Sequence, residues 1–270
     1  MNATNATDSN DGKAEKSEAR SAVILAIVLV LVGAYCAKYG LQTLVWAGAR
    51  HWLAANPWLS ETPQPFPAVA SASAPPATPP KSAWLNAYEY EFIPPWPGAS
   101  KMVPQQSYTE FHFASGPVIV FFDPAAQSSM LEDMKRSNPA EYAIIADMLP
   151  DEPTGQNYAL YRAVYGASPF QASPFTSRAG ADRLYELLLL KLQFGFDSRP
   201  GIHSLDLGSN RGFEFGDPSS GLPVAVREFD QSDKQLRFIF TVAAGFSAKI
   251  TQDDISAVVE SLQPIPILER

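Results

Sequence analysis

Residues 21–37 constrain this chain most, because about 17 consecutive positions carry no charge and are almost all apolar. A helix needs roughly 20 apolar residues to cross the hydrocarbon core of a bilayer. The stretch reaches that length if the Lys38 side chain extends to the interface. The valine and leucine run also lacks the polar face that a helix in a protein core normally shows. The sequence therefore predicts a single transmembrane helix over residues 21–40, with the lipid bilayer as its partner.

Two alternatives involve cleavage of the same segment. A secretory signal peptide would need small residues at a cleavage site directly after the apolar run, and the sequence there, with Tyr35 and Cys36 in it, is a poor match. A bacterial lipoprotein signal would need a small residue immediately before the cysteine, where the chain has Tyr35. We therefore expect the helix to be retained as an anchor.

The charges beside the helix indicate its orientation. Three basic residues (Lys13, Lys16 and Arg20) precede it and two (Lys38 and Arg50) follow it, and basic residues favour the cytoplasmic side. We expect residues 1–20 to be a disordered cytoplasmic tail and the C-terminal domain to lie outside the inner membrane, in the periplasm or the cell exterior. Small residues near one helix face would allow two anchors to pair closely, giving a homo-oligomer. These residues are Ala26, Gly33, Ala37 and Gly40.

Three segments follow the predicted helix. Residues 41–61 contain three tryptophans and are predicted to form an amphipathic segment at the membrane interface. Residues 62–82 consist almost wholly of Pro, Ala, Ser and Thr, which favours an extended linker. As a spacer this linker would span on the order of 60 Å, and the alternative is a docking ligand for an SH3-type groove. Residues 83–270 are predicted to form the folded domain.

The periodicity of residues 83–270 predicts an α+β fold, with helices packed on a mostly antiparallel sheet. Short polar connections between the later strands favour antiparallel hairpins. The predicted strands cover residues 88–92, 111–113, 118–122, 202–207, 211–215, 222–229 and 235–242. The predicted helices cover residues 138–148, 158–165, 178–194 and 251–262, the last with a capping box at Thr251 and Asp254.

The C-terminal elements carry a family resemblance. Residues 212–218 read Gly-Phe-Glu-Phe-Gly-Asp-Pro, two long strands follow, and the last helix ends Val-Val-Glu-Ser-Leu. In this order residues 213–262 resemble PsbP/Mog1-like domains, which include small envelope proteins of bacteria. The resemblance implies a non-enzymatic binding or assembly module, and no site residue of the family can be carried over. The helical stretch at residues 138–194 is where the chain would depart from that family.

Charge and cysteine content exclude several classes of function. The formal net charge is -8, and an acidic domain repels phosphate backbones, so we expect no nucleic-acid partner. Cys36 is the single cysteine and lies in the apolar segment. The predicted domain therefore has neither a disulfide framework nor a cysteine-based metal site.

Candidate catalytic residues are few. His112, Asp123 and His203 are the residues from which a scattered active site would be built, but none stands in a recognised metal-binding or nucleophile motif. We therefore predict no catalytic, cofactor or metal site, and a non-catalytic module that binds an envelope protein or a ligand. The alternatives are a hydrolase-like envelope enzyme and a structural subunit of a membrane complex.

Aromatic residues mark two further places in the predicted domain. Those at residues 84–96 are expected to cover a sheet edge, and exposure to a partner is the alternative. Phe170 and Phe175 lie in a loop where the same two roles apply.

Overall fold

The computed structural model describes residues 11–65, 84–151, 155–193, 201–206 and 210–265. The first ten residues of the predicted tail and most of the predicted linker, residues 66–82, lie outside this part of the chain. The described helices are α1 (Asp11–Tyr39), α2 (Leu41–Leu53), α3 (Pro57–Ser60), α4 (Met130–Ser137), α5 (Pro139–Ile145), α6 (Gln156–Gly166), α7 (Arg178–Gln193) and α8 (Gln252–Ser261).

The strands form two sheets. They are β1 (Gln64–Pro65), β2 (Leu85–Ala87), β3 (Tyr90–Phe92), β4 (Ala99–Pro104), β5 (Tyr108–Phe113), β6 (Pro117–Phe122), β7 (Ile202–Asp206), β8 (Arg211–Phe215), β9 (Val224–Phe229), β10 (Gln235–Val242) and β11 (Gln263–Pro264). The large sheet has eight strands in the order β1-β7-β8-β9-β10-β6-β5-β4, and the small one has the order β11-β3-β2. Among these strands only β1 and β7 pair in parallel. The predicted α+β fold with a mostly antiparallel sheet is confirmed.

Alternation along the strands divides the core into two layers. In β10, Leu236, Phe238 and Phe240 are buried on the side covered by α8 and the small sheet, which we call the α8 face. In β8, Phe213 and Phe215 point to the opposite side, which α6 and α7 cover and which we call the insert face. Because helices cover both sides here, neighbouring residues of one strand are both buried, and all six residues of β9 are.

The helical stretch between β6 and β7 follows the prediction in outline. α5 and the 3-10 turn at Ala146–Met148 lie within the predicted helix at residues 138–148. α6 and α7 correspond to the predicted helices at residues 158–165 and 178–194. α4 was not predicted, because half of its eight residues are charged and only Leu131 and Met134 are buried in the core.

Helix α1 extends beyond the predicted apolar span. It begins at Asp11, so residues 11–20 are helical although the sequence predicted a disordered tail. The Ala, Glu, Lys and Arg residues of that stretch are good helix formers, which explains the difference. From Val23 to Val32, nine large apolar side chains of α1 are between 46% and 71% exposed. No helix in the described part of the chain is long and apolar enough to cross a membrane.

The folded unit also includes residues before the predicted start at residue 83. Trp58 and Leu59 of α3 are buried in the core of the insert face, and β1 adds to the edge of the large sheet. The sequence assigned these residues to an interfacial segment and a linker. The difference arises because the tryptophans of residues 41–61 fit a membrane interface and a protein core equally well as a sequence pattern.

Candidate functional site

The three predicted candidates do not form one site. His112 lies on β5 and its Nε2 is 2.7 Å from Oε2 of Glu110, on a half-buried part of the sheet. His203 lies on β7, and four strands separate β7 from β5 in the sheet. Asp123 accepts a hydrogen bond from the backbone N–H of Ala125 at 2.8 Å, so it caps a turn.

A cleft at the start of α8 is lined by His203, which lies opposite the buried acid Glu214 in the sheet. His203 is paired in register with Glu214 of β8, and it lines a cavity of about 440 Å³ together with Asp217, Lys249 and Gln252. Glu214 is fully buried, and the amide of Gln252 donates to its Oε2 at 2.9 Å. Burial raises the pKa of Glu214 to about 7, and the bond from Gln252 opposes this shift.

A second buried acid, Glu228, lies on β9 on the same face. It is opposite Gly212, where a Cβ would be 2.2 Å from the carbonyl oxygen of Arg227, so only glycine lets the strands approach this closely. Neither carboxyl oxygen of Glu228 has a hydrogen-bond partner in the described part of the chain. Burial raises the pKa of Glu228 to about 8, and the Asn210 amide opposes this shift without reaching hydrogen-bond geometry.

Metal binding is not indicated by these groups. No cluster of three or more His, Cys, Asp or Glu side chains suitable for a metal ion occurs among the described residues. Cys36 lies on α1 as a free thiol. Glu214 and Glu228 thus belong to no such cluster within the described residues.

The other distinctive arrangement joins α1 and α2 to the domain, and we call it the anchor junction (Tyr35, Tyr39, Arg50, Phe170 and Phe175). The ring of Tyr39 contacts Phe175 edge to face at 6.3 Å, and the hydroxyl of Tyr35 donates to the carbonyl oxygen of Pro174. Nη1 of Arg50 donates to the carbonyl oxygen of Ala172 at 3.2 Å. The helix that carries the exposed apolar residues therefore ends in direct contact with the helical insert.

A buried lysine fixes the segment that follows the anchor junction. Nζ of Lys191 on α7 lies within hydrogen-bond distance of four backbone carbonyl oxygens, at 2.7 Å for Ala167, 2.9 Å for Tyr165 and 3.5 Å for Leu59, with Glu61 as the fourth. Its three N–H groups are shared among them. The indole N–H of Trp58 donates to the carbonyl oxygen of Lys191 at 2.9 Å. Burial lowers the pKa of Lys191 to about 8, while Glu61 acts in the opposite direction. We call this arrangement the lysine cage.

Large aromatic side chains of α2 and of the loop before α7 are open to solvent. Trp52 is 81% exposed, Phe175 is 75% exposed and Phe170 is 57% exposed. By contrast, the predicted aromatic group at residues 84–96 mostly packs inward, since Phe92 is fully buried and Trp96 contacts Phe113 at 5.1 Å. The three most exposed aromatic side chains of the described residues thus belong to α2 and the loop before α7 rather than to residues 84–96.

Sequence reasoning missed Glu214, Glu228 and Lys191. Glu214 alternates with Phe213 and Phe215, which is the usual pattern of a solvent-facing residue, whereas Glu228 lies in phase with Val224 and Val226. The signal that these acids are buried lies in the length of the helical insertion together with α8, since two helical layers cover both faces of one sheet. Lys191 follows an unbroken leucine run, and that position was the available sign of its burial.

Comparisons with known proteins add nothing to this geometry. Neither a family model, a curated protein nor a solved structure matches the chain. The resemblance to PsbP/Mog1-like domains accordingly stays a prediction.

Proposed function

We propose that this protein is a single-pass, membrane-anchored module of the cell envelope, whose domain is held at the bilayer surface and acts there by binding rather than by catalysis. The observation that carries the proposal is the exposure of the nine large apolar side chains on α1. Fully burying such a side chain is worth about 1.5–3 kcal/mol. A run of nine left in water is therefore costly, and insertion into a bilayer removes that cost.

The length of the apolar part of α1 is consistent with a membrane anchor if residues beside it extend into the headgroup region. The uncharged residues 21–37 rise about 25 Å as a helix, against a hydrocarbon core of about 30 Å. Lys38 follows this stretch directly, and its aliphatic stem can cross the remaining distance while its ammonium group reaches the headgroups.

The anchor junction supports a position of the domain close to the membrane. Tyr39 and Phe175 meet where α1 ends, and the exposed Phe170 contacts His51 of α2 edge to face at 6.4 Å. Tyrosine and tryptophan favour the headgroup region of bilayers. In this arrangement the aromatic side chains rest in the interface, and the N-terminus of the chain lies in the cytoplasm.

Binding is favoured over catalysis because the candidate chemistry is dispersed. His112 and His203 lie in opposite halves of the large sheet, and Asp123 is occupied in a turn. The resemblance of residues 213–262 to PsbP/Mog1-like domains points in the same direction as an expectation.

Membrane retention of the full chain tests the anchor. We expect the wild-type protein, expressed in a bacterial host, to stay in the membrane pellet after an alkaline carbonate wash. The double variant Val28→Arg/Leu29→Arg should move most of the protein to the supernatant, because each arginine at a helix centre opposes insertion by about 2.5–3.5 kcal/mol.

Leu222→Arg is the matched control, since Leu222 is 58% exposed on the domain surface. Recovery of the wild-type protein in the supernatant, or equal release by the Leu222 variant, would contradict the anchor. Digestion by protease added outside intact spheroplasts tests the orientation, because only an external domain is cleaved under that condition.

A further inference from the structure

A cavity beside α6 is lined by basic residues, although the protein as a whole is acidic. It has a volume of about 610 Å³ and lies between α6, the start of β8, the 148–150 segment and α7. Tyr158, Arg162 and Gly166 line it from successive turns of α6, and Arg211 lines it from β8. Its walls therefore come from four elements of the fold, which is typical of a formed ligand pocket.

Two arginines are the charged residues among the described lining of this cavity. The guanidinium of Arg211 stacks over the ring of Tyr158 at 4.5 Å, and Arg162 follows Tyr158 by one helical turn. In the described part of the chain, neither arginine forms an ion pair or a hydrogen bond. The chain has 28 acidic against 20 basic residues, so a cavity whose described lining has two arginines as its charged residues departs from the overall balance.

The carboxylate of Asp233, at the start of α6, already accepts hydrogen bonds from the helix backbone. Both carboxyl oxygens of Asp233 accept backbone hydrogen bonds at this end of the helix, at 2.6 Å from Asn157 and 3.1 Å from Tyr158. Asp233 thus satisfies the first turn of α6 and leaves the arginine side chains available. The N–H groups of Arg162 and Arg211 remain as the donors for an anion in the cavity.

The remaining lining is mainly small or apolar. Ala159 and Ala163 form a flat face of α6, and Met148 and Leu187 add larger apolar surfaces. The volume of about 610 Å³ lies within the range of about 300–1,000 Å³ found for small-molecule pockets. The site therefore offers an apolar surface next to two guanidinium groups.

We propose that this cavity binds a small amphipathic anion that carries a carboxylate or phosphate group on an apolar body. Arg162 and Arg211 bind the anionic group, because guanidinium groups pair with carboxylates and phosphates in bidentate geometry. The α6 face and Leu187 contact the apolar body. The source of this chemistry is either a soluble metabolite or the headgroup region of an anionic lipid.

This inference rests on the proposed binding function, but its experiment does not depend on the anchor. The full chain, purified in a non-ionic detergent, is titrated with hexyl phosphate in a calorimeter. We expect saturable binding that weakens about tenfold or more when one arginine is removed as Arg162→Gln or Arg211→Gln, and that disappears in the double variant. If the carbonate wash released the wild-type chain from membranes, the proposed anchor would be contradicted. The titration in detergent would still test the cavity.

Two variants separate the site from general charge and from folding. Arg136→Gln removes an exposed helix arginine outside the cavity and should bind hexyl phosphate as the wild type does. At Gly166 a Cβ would meet no atom within 4 Å, so Gly166→Leu fits without a clash and fills one end of the cavity. It should weaken hexyl phosphate binding at least tenfold and leave inorganic phosphate binding unchanged.

A final comparison distinguishes the two sources of the ligand. Dihexanoyl phosphatidylglycerol that binds more tightly than hexyl phosphate indicates a lipid headgroup, and the reverse order indicates a soluble anion. Dihexanoyl phosphatidylcholine should bind neither the wild type nor the variants. The proposal is overturned by absence of saturable binding to the wild type, by a folded double variant that binds normally, or by equal weakening in the Arg136 variant.

Discussion

On the insert face the buried ammonium group of Lys191 lies among four carbonyl oxygens, whereas on the α8 face the buried carboxyl of Glu228 has no hydrogen-bond partner in the described chain. Burial acts on both groups by penalising the charged form, so the pKa of Lys191 falls to about 8 and that of Glu228 rises to about 8. The same physical cause thus leads to opposite protonation preferences on the two sides of one sheet.

The difference shows that the two buried groups have different consequences for the fold. The lysine joins α3, α6 and α7 through backbone oxygens that would otherwise be buried without a donor. The glutamate carboxyl forms no hydrogen bond within the described residues, and it is tolerated because it takes up a proton at moderate pH. We therefore expect removal of the lysine to destabilise the domain and removal of the glutamate charge to stabilise it.

Substitution of Lys191 has the largest expected effect. Lys191→Met retains the aliphatic stem but leaves the carbonyl oxygens of Tyr165 and Ala167 without their donor. We expect a loss of about 3–5 kcal/mol in the free energy of unfolding, measured by urea titration of the full chain in detergent. Lys101→Met, on the exposed strand β4, is the control and should change stability little. A Lys191 variant as stable as this control would contradict the lysine cage.

Substitution of Glu228 should have the opposite sign and depend on pH. A raised pKa means that the folded chain binds this proton more tightly than the unfolded chain, so stability falls as the pH rises from about 4.5 to about 8. Glu228→Gln should therefore stabilise the protein by on the order of 3 kcal/mol at pH 8.5 and by little at pH 4.5. Glu260→Gln, on the exposed side of α8, should show no such pH dependence. A pH-independent effect of the Glu228 variant would reject the proposed protonation.

The smallest expected effect belongs to Glu214, because Gln252 already supplies one hydrogen bond to its carboxylate. Glu214→Gln should stabilise the protein by about 1–2 kcal/mol above pH 7. The gain should disappear between about pH 7 and pH 4.5, where the carboxyl of the folded chain is protonated. If Glu214→Gln stabilised the protein more than Glu228→Gln in the same titrations, the expected order of the two effects would be wrong.

The sequence predicted much of the fold where periodicity is strong. β8 and β10 have the predicted bounds, and α8 starts with the predicted capping box at Thr251 and Asp254. The strand β4 was missed, because an exposed edge strand that includes Pro104 lacks the alternation of a half-buried one. Local pattern therefore located strands whose two faces are both covered, as in β8, as well as strands with one half-exposed face, as in β10.

The candidate site was less accessible from the sequence, because it depends on contacts between distant residues. The cavity joins Arg162 to Arg211 across 49 positions, and the lysine cage joins Lys191 to Leu59 across 132. The sequence of a helix with several polar residues does not indicate which of their side chains will face a strand from a distant part of the chain. Only the pairing of β8 with β9 and the packing of α6 onto them bring these side chains together.

The course of the chain around the proline-rich stretch changes what that stretch can do. β1 ends at Pro65 within the large sheet, and β2 begins at Leu85 within the small sheet, so both flanks of residues 66–84 belong to the domain itself. In the proposed membrane arrangement, α2 and the anchor junction set the distance from the bilayer to the domain, about 20 Å of helix at most. That proposal therefore implies that lengthening or shortening the proline-rich stretch leaves the distance of the domain from the membrane unchanged.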